Sequence, residues 1–275
     1  MGLGVRVEVD QYDLVRWLKL KHRDDDASMD LAARLEPCER DNRCFSAVCP
    51  KCSHAAQAFT TEVAAKFLAS HPAEKIVCVS VVPGDGEIPA GQLNAEQHAR
   101  NVRRWKEALG RAGVTWFLGA TDWSFNEHID ERYQPSWQEH FYGFTVTDTP
   151  KILRKRLKKQ FPATDAIPRP VQVKVWDGDK AAINYMLKPV FKRRIGTDDG
   201  QRHEKESGGE RECRATDKQP LRAEQKHELL LFLDEIGIQS RFLMRWLQFV
   251  HLAGTGWTIA DRAPKGRQHG NGRSV

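Results

Sequence analysis

Long apolar runs are missing from this chain: no stretch approaches the roughly 20 apolar residues that a membrane-crossing helix needs, so no helical membrane anchor is expected. The opening residues, Met1-Gly2-Leu3-Gly4-Val5-Arg6-Val7-Glu8, lack the apolar core of a secretory signal. Cysteine is scarce and uneven. Of the 6 in the chain, Cys78 and Cys213 stand alone and the other four crowd into residues 38–52, which argues against a secreted disulfide framework and for metal binding in a reducing cytosol. Internal repeats are absent too, and residues 192–228 lose almost all large apolar side chains.

What is present describes a folded protein. Hydrophobic residues make up 40% of the 275 positions and tryptophan occurs 8 times, enough for one good core with a smaller appendage. The net charge of +6 and a pI near 9.0 lean towards a polyanionic partner, though modestly for this length.

Residues 1–35 read as a polar arm in which Leu14, Trp17, Leu18 and Leu20 predict one short amphipathic helix, with Asp24, Asp25 and Asp26 as a solvated turn. The cysteines follow, with a helix over 55–68, in a unit spanning 36–70. From 71 to 195 the periodicity predicts strand 75–82, helix 94–112 capped by Asn94, strands 114–122 and 137–146, helix 151–160, strand 171–176 and helix 180–187. That order is an α+β fold, a split βαβ arrangement on an antiparallel sheet. Residues 196–227 read as a charged linker and 228–260 as a helical pair broken near Gly237, better suited to packing or oligomerisation than to reading DNA. Residues 261–275 read as a basic tail.

Cys38, Cys44, Cys49 and Cys52 read C-x5-C-x4-C-x2-C, and the last pair has the gap that brings both thiolates to one tetrahedral Zn2+. His54 is a spare ligand; free buried thiols or a redox pair are the other readings. Asp122, Glu127 and His128 end one predicted strand and His140 sits on the next, so a hairpin brings acids and imidazoles together as a candidate Mg2+ or Mn2+ site. The alternative is a surface hairpin whose acids and histidines pair with each other. His140, Tyr142 and Phe144 share one face by alternation. Tyr185 and Lys188 lie three apart on a helix ended by Pro189, so the lysine can assist a phenol that is a poor nucleophile alone. Lys151, Arg154, Lys155 and Lys158 on one helix, and Lys192, Arg193 and Arg194 after the tyrosine, form basic runs that suit DNA phosphates or a solvated surface. Trp123, Trp137 and Trp176 are candidates for base stacking or for the core.

In this order the motifs resemble those of the HUH endonucleases, and within them the rolling-circle replication initiators of bacterial plasmids. Arg43-Cys44-Phe45-Ser46-Ala47-Val48-Cys49-Pro50-Lys51-Cys52 is similar to their zinc-knuckle stretch. Residues 137–143 are similar to their metal-binding strand, and Tyr185-Met186-Leu187-Lys188 to their nucleophile motif. The resemblance covers about residues 38–195. It implies a five-stranded antiparallel sheet carrying the metal, and a tyrosine on an adjacent helix that nicks single-stranded or origin DNA. The products are a 5′-phosphotyrosine and a free 3′-hydroxyl, with a divalent ion as Lewis acid, host replication proteins as partners and a bacterial cytoplasm as location. A single-strand transposase shares that chemistry, and a zinc-stabilised DNA-binding protein without catalysis is the reading from another class. The chain departs from the pattern at Tyr142, where the second histidine is expected, so the ion must borrow from His128 or Glu127.

Overall fold

A computed structural model describes residues 3–262 apart from 130, 132–133, 165–166, 207–208 and 253–255. In chain order the elements are α1 (Leu3–Lys21), α2 (Asp26–Leu35), α3 (Pro50–Ala69), β1 (Ile76–Val81), β2 (Glu87–Pro89), α4 (Ala95–Arg111), β3 (Phe117–His128) and β4 (Ser136–Val146). They continue with α5 (Pro150–Gln160), β5 (Val171–Val175), α6 (Lys180–Asn184), a 3-10 turn (Tyr185–Leu187), β6 (Lys192–Glu206), β7 (Gly209–Pro220), α7 (Ala223–Ser240), β8 (Phe242–Arg245), β9 (Leu247–Leu252) and β10 (Gly256–Asp261).

The central strands lie in the order β5-β1-β4-β3, each neighbour antiparallel. β1 and β3, joined through α4, flank β4, which is the split βαβ arrangement. β2 adds to β4. The outer edge of β3 is shared: β8 runs antiparallel along Phe117–Ala120, and β6 runs parallel along Ser124–His128 and pairs in turn with β7.

The sheet's two faces differ in how they are closed. Val77, Val79 and Val81 are fully buried on one face with Phe117 and Phe141, under Trp105 and Leu109 of α4 and Leu153 and Leu157 of α5; burying each such side chain contributes about 1.5–3 kcal/mol. The other face carries Leu118, Ala120 and Phe144 against Val63 and Leu68 of α3 and Ile183, Met186 and Leu187 of the tyrosine segment, while Cys78, Ser80 and Tyr142 stay partly open. A third cluster joins α1, α2, the cysteines and α7 around Trp123, Phe125 and Trp137.

Three expectations about the ends of the chain are corrected. The arm holds two helices, with Asp25 accepting from Ser28 N (3.1 Å) as the cap of the second. The expected linker 196–227 pairs as the β6–β7 hairpin and enters α7, because β3 leaves half an edge for β6 to fill. The expected helical pair 228–260 is helical only to Ser240. Gly237 (φ 67°, ψ 170°) breaks it, and Phe242, Leu243 and Met244 become a strand because the other half of the β3 edge needs hydrogen-bond partners. Residues 263–275, nearly all of the expected basic tail, lie outside the described residues.

Candidate functional site

The four-cysteine group is tightly gathered, with all its sulfurs within 4.8 Å of one another. Cys38 Sγ lies 3.5 Å from Cys52 and from Cys49, and Cys44 lies 3.7 Å from Cys52. A disulfide would place two sulfurs about 2.0 Å apart, whereas a zinc tetrahedron with bonds of about 2.3 Å gives edges near 3.8 Å. The donors therefore fit Zn2+. Hydrogen bonds from Cys44 and Cys49 pull the Cys52 thiol down to about 2, while Cys44 and Cys52 push Cys49 above the ordinary thiol range. His54 is exposed and outside the group.

Pro50 starts α3 directly from the knuckle, with Cys49 as its cap accepting from Cys52 N (3.5 Å). The same helix reaches the tyrosine segment. Gln57 Nε2 donates to Asn184 O (2.8 Å) and Thr61 Oγ1 to Asn184 Oδ1 (3.3 Å). A metal-ready knuckle thus anchors the helix that braces the residue before Tyr185.

Asp179 caps α6 (Ala181 N to Oδ1, 2.8 Å), and the helix tightens into a 3-10 turn over Tyr185–Leu187. Lys188 is driven to extended ψ (136°) by the following proline. Lys188 Nζ then donates to Tyr185 Oη at 3.1 Å and sits 4.6 Å from the centre of its ring. The same nitrogen lies 2.5 Å from Asp122 Oδ2, and His140 Nε2 meets that oxygen at 3.1 Å. Asp122 and His140 are direct cross-strand partners, so phenol, ammonium, carboxylate and imidazole form one continuous chain of contacts. Tyr185 is 48% exposed, whereas Asp122 and His140 are buried.

Burial opposes the charge on Asp122, but hydrogen bonding and charge from His140, with Lys188 added, hold its carboxyl at about 2. Burial likewise opposes the Lys188 charge, and Asp122 and Tyr185 outweigh it, keeping the ammonium above its ordinary pKa. Burial and a hydrogen bond with Cys78 push the Tyr142 phenol up; its ring meets Tyr185 edge-on at 5.5 Å. Arg241 was not foreseen, because nothing local in the sequence marks it. It is 2% exposed, donates through Nη2 to Lys188 O (3.2 Å) and stacks 5.4 Å from the Phe191 ring. Burial lowers its pKa, with Asp122 opposing.

The expected divalent set does not assemble. Glu127 points to the opposite face from Asp122, as residues an odd number apart on a strand must, and is held by Arg193 (2.5 Å) and Arg222 (3.0 Å). His128 lies six residues from Asp122 along β3, roughly 20 Å at the rise of a strand. The four cysteines are the sole group of three or more ligand-type side chains close enough for an ion among the described residues.

The basic runs divide as well. Leu153 and Leu157 seat α5 on the closed face, so Lys151, Arg154, Lys155 and Lys158 are exposed on the far side of the sheet from Tyr185. Ile152 of the same helix is 48% exposed. Arg193 is committed to Glu127, whereas Lys192 and Arg194 alternate onto the face of Asp122 through their pairing with Ser124 and Asn126. Trp123 and Trp137 are core residues, not stacking platforms; Trp176 is half-buried against Phe144. Among the described residues no helix is long and apolar enough to cross a membrane. Comparison of the chain with family models, curated proteins and solved structures finds no match.

Proposed function

We propose that this protein is a zinc-stabilised, replication-initiator-like enzyme that nicks and rejoins single-stranded DNA through Tyr185. The supporting observation is the continuous contact from Tyr185 Oη through Lys188 Nζ to Asp122 and His140, on the half-open face of a split βαβ sheet. An exposed phenol beside a half-buried, charge-paired ammonium suits attack on an anionic phosphodiester.

In the step proposed, Oη bonds to phosphorus and the bond from phosphorus to the 3′ oxygen breaks. The phenol gives up one proton and the departing 3′ oxygen gains one, so the products are a 5′-phosphotyrosine and a 3′-hydroxyl. Because the phosphotyrosine keeps the energy of the broken bond, a later 3′-hydroxyl reverses the step and rejoins strands. Lys188, already bonded to Oη, stabilises the phenolate as it forms. Single-stranded or origin DNA is the partner this chemistry requires, with host replication proteins downstream.

The experiment incubates zinc-loaded full-length protein with a labelled random-sequence single-stranded oligonucleotide pool and Mn2+, followed by a denaturing gel. The expected result is a protein–DNA adduct that survives denaturation and is lost in Tyr185→Phe. Tight DNA binding with no adduct would instead support a zinc-stabilised binding protein without catalysis.

A further inference from the structure

The divalent ion that the resemblance implies beside the tyrosine is not matched by the donors this chain provides. An ion of that kind needs carboxylate or imidazole lone pairs directed at open space. Here His140 Nδ1 faces Gln138 O at 3.3 Å while Nε2 faces Asp122, so both ring nitrogens are turned towards oxygen acceptors. Asp122 Oδ2 is covered by the Lys188 ammonium at 2.5 Å. Tyr142 stands where a second imidazole is expected, and no other histidine, cysteine or acid among the described residues completes a set around Asp122 and His140.

Positive charge gathers there instead. Lys188 and Arg241 both lie within electrostatic reach of the single Asp122 carboxylate. Arg241 is buried, its Nε has no hydrogen-bond partner, and its Nη2 donates to the Lys188 carbonyl. A buried arginine and a half-buried lysine against one carboxylate leave an excess of positive charge, which is costly unless an anion arrives to balance it. A phosphodiester at Tyr185 Oη would be that anion.

We propose that Lys188, seated on Asp122, takes the place of the divalent ion, so that strand transfer by Tyr185 needs no Mg2+ or Mn2+ and Arg241 acts as the positioning residue behind it. The inference rests on the nicking function proposed above. Lys188 Nζ is already 3.1 Å from the attacking oxygen and so reaches a non-bridging oxygen of a phosphate bonded there. An ammonium at that distance supplies charge stabilisation of the kind that a Lewis acid otherwise gives. No proton or electron is needed beyond those of the step already described.

The test uses the full chain carrying only its cysteine-bound zinc, in buffer freed of Mg2+ and Mn2+, with the same oligonucleotide pool. Adduct formation is expected to change less than about twofold when Mn2+ is added. Lys188→Ala is expected to lose about 10²–10³-fold, the usual cost of removing one transition-state donor, and to recover in part with Mn2+. Arg241→Met is expected to lower the rate at saturating DNA without changing the half-saturating DNA concentration, and Arg241→Lys to restore it. An adduct formed by wild type only with Mn2+ overturns the inference and leaves the nicking function standing. If no adduct forms under any condition, the nicking function fails, and Mn2+ binding followed by electron paramagnetic resonance decides the seating of Lys188. Uptake gained only in Lys188→Ala supports Lys188 as the occupant of the ion's place; uptake by wild type that Asp122→Asn abolishes overturns it.

Discussion

Asp122 gathers two ion-pair partners on one buried oxygen, Lys188 and His140. Its carboxyl lies at about 2 in the fold against 3.8 when unperturbed. A depressed acid stabilises the fold above its unfolded pKa, and that stability is lost as pH falls through the folded value. The contribution is about 2 kcal/mol, present above about pH 4 and gone near about pH 2. Urea unfolding of wild type and Asp122→Asn should therefore show a gap that closes across that window; a gap constant with pH would remove the charge pairing from the explanation. Tyr185, Lys188, Asp122 and His140 were legible in the sequence because each is chemistry-bearing and sits at a readable spacing. Glu127 was misread: the parity that sends it to the other face becomes visible only once the strand is known to run unbroken past Asp122.

The passage from α7 into β8 depends on one glycine. Gly237 holds φ 67° and ψ 170°, and a Cβ there would meet nothing within 4 Å, so a substitution meets backbone strain without steric conflict. That region of backbone space is close to glycine-only and costs about 1–3 kcal/mol for other residues. Gly237→Ala should lose that amount in chemical denaturation, and because the turn delivers Arg241 beneath Lys188 it should also slow adduct formation. An unchanged midpoint would show that the helix simply runs through. The break near Gly237 was legible, but the strands beyond it were not. Phe242, Leu243, Trp246, Leu247 and Val250 fit a helical period as well as a strand, and the deciding partner, the free edge of β3, lies more than a hundred residues earlier.

At the scale of the whole molecule the sheet sorts cations that the sequence lists together. Lys192 and Arg194 share the face of the tyrosine, while the α5 cations cover the far side. For single-stranded DNA each neutralised phosphate contributes about −0.7 to the slope of log affinity against log salt. Replacing Lys192 and Arg194 with Gln should therefore flatten that slope by about 1.4, whereas Lys155 and Lys158 replaced together should leave it unchanged; the reverse result would place the DNA on the α5 side. Apart from the short β2, the order of strands and helices from 75 to 187, the four-cysteine group and the proximity of Tyr185 to Lys188 were all set by the chain itself. They follow from local spacing, which a helix or a short loop converts directly into geometry. Tertiary structure alone decided which acid meets the histidine, which basic residues face the site, and that a buried arginine from beyond α7 stands behind the lysine. Those outcomes depend on strand pairing and on the burial of charge, which act between residues far apart in sequence and leave no periodic trace within it.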